Sequence, residues 1–326
     1  MTNECALSAR YLNIIAKRFL HLTFVIGHLT LVLALPLLAQ GQAGTDIAVL
    51  GAGVGARALG MGSAFTAVAD NADAPYWNPA GLGHISSSEI TTMQTKLSTD
   101  TDHYYVSYVS PLWGGALGVS WIQVALGNIS QNSSEVDSHN EIQNLGTFSY
   151  FSNAYLLSYG RELNDKVSVG LTAKYLSSDM NRIVGGQATG YSITPGILLK
   201  LSTVHSSLFT VGLKIDELIN QQQWGTGAVE QAPPKVRLGL AYQAANPGLF
   251  ALDVSQTVRS GYSPEISLGY EGAIYRGIAF RAGYAEGGFT AGAGFTFQHA
   301  VVDYAYVNQP SLSKENVHRI SLSGVW

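Results

Sequence analysis

One cysteine, Cys5, is all the chain holds, and charged residues fill only 12% of its 326 positions. Beyond residue 43 there is thus no thiol, no disulfide and no thiolate metal site. A soluble domain usually carries about a quarter charged residues, so this scarcity suits a surface that does not face water. No stretch after Ala43 approaches the ~18 apolar residues that a spanning helix needs. The chain has no basic cluster and a formal net charge of −4, which argues against a nucleic-acid partner. The H-E-x-x-H, phosphate-loop and G-x-S-x-G patterns are missing as well, so neither an enzyme nor a cofactor is expected. The eight histidines are scattered, and His103 or His318 beside a serine reads as an interfacial or loop hydrogen bond.

What the chain does contain is alternation, with 36 glycines and 17 tyrosines among abundant serine and threonine. From Lys166 to Leu176, Val167, Val169, Leu171, Ala173 and Tyr175 share one face, and Lys166, Ser168, Gly170, Thr172 and Lys174 share the other. Side chains in a strand alternate with period two, so the pattern makes one apolar and one polar wall. The closing segment repeats it, with Ile320, Leu322, Gly324 and Trp326 opposite Arg319, Ser321 and Ser323. The expectation is an all-β fold: a transmembrane antiparallel β-barrel of about fourteen strands, apolar toward lipid and polar toward the lumen. Strands are expected near 86–97, 104–110, 115–126, 147–160, 166–178, 191–200, 207–214, 236–244, 249–257, 265–271, 276–285, 289–298, 301–308 and 317–326. Long connections at 128–146, 179–190, 215–234 and 309–316 fall on one side, and short ones on the other. Tyr104, Tyr108, Trp121, Tyr159, Tyr175, Tyr242, Tyr270, Tyr284 and Trp326 lie near the ends of these strands and suit interfacial girdles. Cross-strand packing in a soluble sandwich is the alternative.

Residues 1–43 read as an export signal: Arg10, Lys17 and Arg18 precede an apolar run from Phe19 to Leu38, and Gly41-Gln42-Ala43 offers a small-residue cleavage site. A retained membrane helix is the alternative. Cleavage would lower the basic count from 18 to 15 and the acidic count from 22 to 21, a net of −6. The domain plan is then a signal at 1–43, a distinct segment at 44–85 and the barrel at 86–326, in a bacterial outer membrane with its lipid as partner.

The segment at 44–85 is rich in alanine and glycine. Gly51-Ala52-Gly53-Val54-Gly55-Ala56, with Asp70 downstream, approaches a dinucleotide fingerprint. The would-be helix is short and holds Gly60 and Gly62, and no strand–helix alternation follows, so that reading is set aside. The fuller string, Gly55 to Leu82, resembles the N-terminal signature of the PorV/PorQ-type outer-membrane proteins of the FadL superfamily. Arg57, Ala58, Gly60, Met61, Gly62, Ala64, Ala67, Ala69, Asp70, Ala74, Trp77, Asn78, Pro79, Ala80, Gly81 and Leu82 carry the match. The resemblance implies a fourteen-stranded barrel whose N-terminal segment enters the lumen as a small hatch; an amphipathic cap helix over one barrel end is the alternative. It also implies that Ile320, Leu322 and Trp326 form the C-terminal signal read by the outer-membrane insertion machinery.

Arg237, Asp253, Glu265, Glu271, Arg281, Asp303 and Arg319 lie on polar strand faces and alternate in sign. Charges in a narrow lumen are costly unless paired, so a cross-lumen network is expected. Two functions remain. Likeness to PorV and PorQ implies handling of type IX secretion cargo through the outer loops, with Leu218, Ile219 and Trp224 as apolar anchors and secretion components as partners; this is the reading favoured. Likeness to FadL implies a channel for hydrophobic small molecules, needing an apolar pocket near Phe65 and Trp77 and a wall irregularity such as Pro195.

Overall fold

The computed structural model describes residues 48–98, 100–136, 142–202, 208–244, 248–275, 277–285, 288–308 and 316–326. The expected export signal, with Cys5, lies outside the described residues. Three short helices come first: α1 (Ala48–Gly51), α2 (Ala56–Gly60) and α3 (Ala74–Trp77), followed by a 3-10 turn at Pro79–His84. None is long and apolar enough to cross a membrane. The strands follow: β1 (Glu89–Ser98), β2 (Thr101–Leu112), β3 (Gly115–Val136), β4 (Ile142–Asn164), β5 (Val167–Met180), β6 (Gln187–Ser202), β7 (Leu208–Asp216), β8 (Ile219–Trp224), β9 (Val229–Glu230), β10 (Lys235–Gln243), β11 (Gly248–Thr257), β12 (Glu265–Tyr275), β13 (Ile278–Ala285), β14 (Gly288–Phe297), β15 (Ala300–Asn308) and β16 (Asn316–Val325).

Each strand pairs antiparallel with its neighbours, β1 pairs with β16, and β5 pairs with β6, so the sheet closes on itself. Fourteen strands, β1 to β7 and β10 to β16, make a closed antiparallel barrel. The seam is tied at its end by reciprocal bonds between Ser88 and Trp326 (3.0 and 2.9 Å). Trp326 also stacks on Tyr108 at 6.1 Å between centroids.

Alternation sets the two faces. Leu171, Tyr175, Ile320 and Leu322 are about half exposed on the outside, while Ser168, Thr172, Lys174, Arg319 and Ser321 are buried on the inside. Inward hydroxyls bond across the ladder between directly opposed residues: Ser107 with Ser120 (2.8 Å), Ser158 with Thr172 (2.8 Å) and Ser152 with Ser178 (3.1 Å).

Several strands outrun the sequence-based expectation. Most of the expected loop at 128–146 is strand: β3 continues to Val136 and pairs with β4 from Ile142 through three register shifts. Both faces are wet there, so no apolar alternation marks the strand even though its backbone pairs. The expected loop at 179–190 shrinks to a turn at 181–186 between β5 and β6, and 215–234 contains the β8–β9 hairpin. Lengthening β3, β5 and β12 leaves Trp121, Tyr175 and Tyr270 inside strands rather than at their ends.

Candidate functional site in the lumen

Residues 49–82 are almost wholly buried, and their partners lie around much of the wall. The turn at 79–84 packs on β3 to β6, and α2 packs on β13 to β16. An irregular backbone enclosed this way must find partners for its amides and carbonyls. The wall supplies them. Asp253 accepts from the amides of Phe65 (3.1 Å) and Thr66 (3.0 Å). Thr290 accepts from the Gly62 amide and donates to the Gly60 carbonyl, both at 3.0 Å. Ser321 accepts from the Ala56 amide (3.2 Å), and Thr172 donates to the Pro75 carbonyl (2.9 Å). Ser107 and Tyr105 both donate to the Ala72 carbonyl.

Close approach depends on glycine in the wall. Gly160, Gly170 and Gly196 lie in one row across β4, β5 and β6. A methyl group at any of them would overlap Asn78 or Pro79. Gly269 and Gly283, directly opposed on β12 and β13, leave equivalent space for Met61 and Gly62. Sequence reasoning missed these rows; the signal was there, as glycines recurring at inward positions of consecutive strands.

Within the hatch, Asn78 donates to the carbonyls of Thr66 (2.8 Å) and Ile197 (3.3 Å) and accepts from the Ala80 amide (3.1 Å). Trp77 Nε1 donates to the Val54 carbonyl at 3.0 Å, and its ring meets Phe65 edge-on at 6.1 Å. The fingerprint-like Gly51–Ala56 therefore belongs to this packed insert, with no parallel sheet behind it.

Apart from Glu162 with His84 (2.7 Å) and Lys200 (3.0 Å) by the 79–84 turn, the ion-paired charges among the described residues form two groups. Arg57 of the hatch reaches Asp70 (2.5 Å) and Glu271 of β12 (2.8 Å), and its guanidinium lies over the Phe65 ring. Arg281 joins Glu271 (2.5 Å) to Asp303 (2.7 Å). The second group lies where β7 gives way to β8. Asp216 holds Lys214 (2.6 Å) and Arg237 (2.7 Å), Glu217 holds Lys174 (2.6 Å), and Lys235 holds Glu265 (2.7 Å). Of the seven charges singled out from sequence, Glu271, Arg281 and Asp303 come together, whereas Arg237 and Glu265 pair with residues not singled out. Asp253 and Arg319 bind hatch backbone instead of opposite charges, because the hatch occupies the space between the walls. Lys174 was read as inward-facing but not counted in the charge network, and Lys214 and Asp216 were not singled out.

A cavity of about 100 Å³ remains beside the hatch, touching Leu50–Gly53, Tyr76, Trp77, Asp216, Glu217 and Arg237 among others. Phe65 is fully buried and does not line it. The wall is irregular next to it. β6 pairs with β7 up to Gly196 and with β8 from Ile193, leaving Thr194 and Pro195 without a partner in register on that edge, although both still pair with β5 and the Glu217 amide donates to Thr194 Oγ1 (3.4 Å). Opposite, Glu217 adopts φ +55° and sends its side chain inward beside Asp216, as a bulge does.

The expected loop anchors sit elsewhere than expected: Ile219 and Trp224 belong to β8, bonded to β6, with Leu218 just before it donating to the Ile193 carbonyl (3.0 Å). Among the histidines, His318 meets Tyr304 at 2.7 Å. No group of three or more potential metal ligands occurs among the described residues.

No protein-family model and no curated protein matches the chain. Solved structures do. The toluene transporter TodX of Pseudomonas putida superposes with a TM-score of 0.56 at 13% identity, covering 84% of this chain and 97% of its own. The barrel is TodX-like in fold. The toluene transporter TbuX of Ralstonia pickettii matches at 0.52 with 13% identity over the same shares, and a Pseudomonas aeruginosa FadL homologue aligns at 0.49 with 12% identity over 88% and 99%. At such identity the likeness is one of fold, the fold of outer-membrane barrels. It covers the barrel wall without reaching the PorV/PorQ subtype, and it lends nothing to the type IX role favoured from sequence.

Proposed function

We propose that the protein is a passive channel carrying hydrophobic small molecules across the outer membrane, with a hatch seated in its lumen. The observation that carries the reading is the bulge in the wall opposite Thr194–Pro195, where β6 passes from β7 to β8, set against the cavity beside the hatch. TodX and TbuX, whose fold the chain shares, are toluene transporters. A cavity of about 100 Å³ is smaller than the ~150 Å³ apolar cavity known to admit benzene, and it is charged on one side, so passage requires the hatch to shift. The test is uptake of radiolabelled toluene and of a long-chain fatty acid into vesicles holding the purified protein. Saturable uptake above empty vesicles is expected, together with its loss when Ala56→Cys and Ser321→Cys are oxidised to a disulfide and its return on reduction. Equal uptake in empty vesicles sinks the reading.

Cargo handling of the PorV/PorQ type is kept as a second reading. The ion-paired, hatch-filled lumen favours it, as do the ordered outer hairpins, which leave Leu218 and Ile219 about half exposed. Affinity purification from outer membrane decides between the two: a stoichiometric secretion-system protein supports this reading, and bound hydrophobic compounds alone support the first.

A further inference from the structure

Three polar side chains on adjoining strands enter the lumen and find no complete set of partners. Thr95 on β1 and His103 on β2 stand opposite each other in the ladder. Gln94 pairs with Ile320 of β16, which places Arg319 beside Thr95 on the inward side. All three are buried, with 3%, 0% and 1% exposure for Thr95, His103 and Arg319. Thr95 Oγ1, both ring nitrogens of His103 and Arg319 Nε make no hydrogen bond. Arg319 Nη1 donates to the carbonyls of Ala52 (2.8 Å) and Gly53 (3.3 Å) at the start of the hatch. No carboxylate is among the charges acting on Arg319, while its own charge acts on His103.

A guanidinium shut away from water without a counter-charge is strongly unfavourable, and each unmade bond nearby adds to the cost. Each can offer a donor to a shared acceptor: the Thr95 hydroxyl, the one N–H of a neutral His103 ring and the Arg319 Nε–H. A water molecule would meet some of them but leave the positive charge unanswered. A small anion would accept from the hydroxyl, one imidazole N–H and the guanidinium N–H together and supply the missing charge. We propose that Thr95, His103 and Arg319 form a buried site for a small monovalent anion of halide size. Bound there, the anion fixes the Arg319 guanidinium and, through it, the Ala52–Gly53 backbone, so it pins the beginning of the hatch to the β16–β1–β2 seam. The site does not depend on what the barrel transports.

The test uses the full chain purified in non-ionic detergent and kept in gluconate. Crystals soaked in bromide are expected to show an anomalous peak within hydrogen-bond distance of Thr95, His103 and Arg319. In solution, chloride added at constant ionic strength should raise the melting temperature saturably by several degrees. Thr95→Val and His103→Leu, which keep the arginine, should weaken the half-saturating chloride concentration at least about tenfold; Arg319→Gln, where it folds, should abolish the response. An empty or water-filled site in bromide crystals overturns the proposal, as does a chloride response that is absent or unchanged in Thr95→Val and His103→Leu.

Discussion

Single residues decide how closely the hatch meets the wall. Gly170 faces Pro79 with no room for a side chain, so Gly170→Val should cost about 1–3 kcal/mol, the usual penalty of overpacking, read as a lower melting temperature in detergent. Gly114, with open space around it, is the control site for volume, although its φ of +74° adds backbone strain to any replacement. Asp73, in the hatch and outside the spanning strands, gives a pH prediction. Burial raises its carboxyl from the usual value near 4 to about 6. The folded chain then holds this proton more tightly than the unfolded one, so the stability it contributes is greatest below about pH 4 and falls as pH rises to about 6. Asp73→Asn should therefore gain on the wild type across that window, by roughly 2–3 kcal/mol at the plateau above it. Melting curves of both proteins from pH 4 to 8 check the sign; a difference that is flat with pH contradicts it.

At the scale of elements, the hatch is held to the barrel through a few polar tethers rather than through helix propensity. Its helices are only four or five residues long, too short to persist alone. Arg57 joins the partly buried wall carboxylate Glu271, whereas another such contact, His84 with Glu162 of β4 (2.7 Å), is more exposed, and Glu271 keeps Arg281 when Arg57 is removed. Arg57→Ala should thus loosen the hatch by about 2 kcal/mol, the worth of a charged hydrogen-bonded contact, without unfolding the wall. Hydrogen exchange localises the effect: faster exchange confined to 56–82 is expected, and equal acceleration in β12 and β13 would mean that Arg57 supports the barrel itself. The Arg57–Asp70 contact should matter less, since Asp70 is 47% exposed and water screens it.

Over the whole molecule, wall and hatch are separable in principle. Every wall strand has both neighbours, so closure does not need the insert. A chain lacking residues 44–85 should still insert, and its lumen, lined by Lys174, Lys214, Asp216, Arg237, Glu271 and Arg281, should fill with water and conduct ions. Planar-bilayer recordings are expected to show steady conductance well above that of the intact protein; silence from an inserted, heat-modifiable barrel would mean that the wall collapses on itself.

Alternation along Lys166–Leu176 and Arg319–Trp326 was enough to assign the all-β barrel, because a membrane-spanning sheet allows only apolar residues outward and polar ones inward. The even strand number was legible for the same reason, and the N-terminal string from Gly55 to Leu82 marked a segment of another kind. Strand ends in β3 and β4 were not legible, since water on both faces removes the pattern. Nor were the partners of Arg319 and Asp253: alternation says which way a side chain points, but only closure of the sheet decides what stands opposite it. There the lumen brings residues from 187 to 267 positions apart within bonding distance, and the hatch backbone rather than an opposing charge takes the bond.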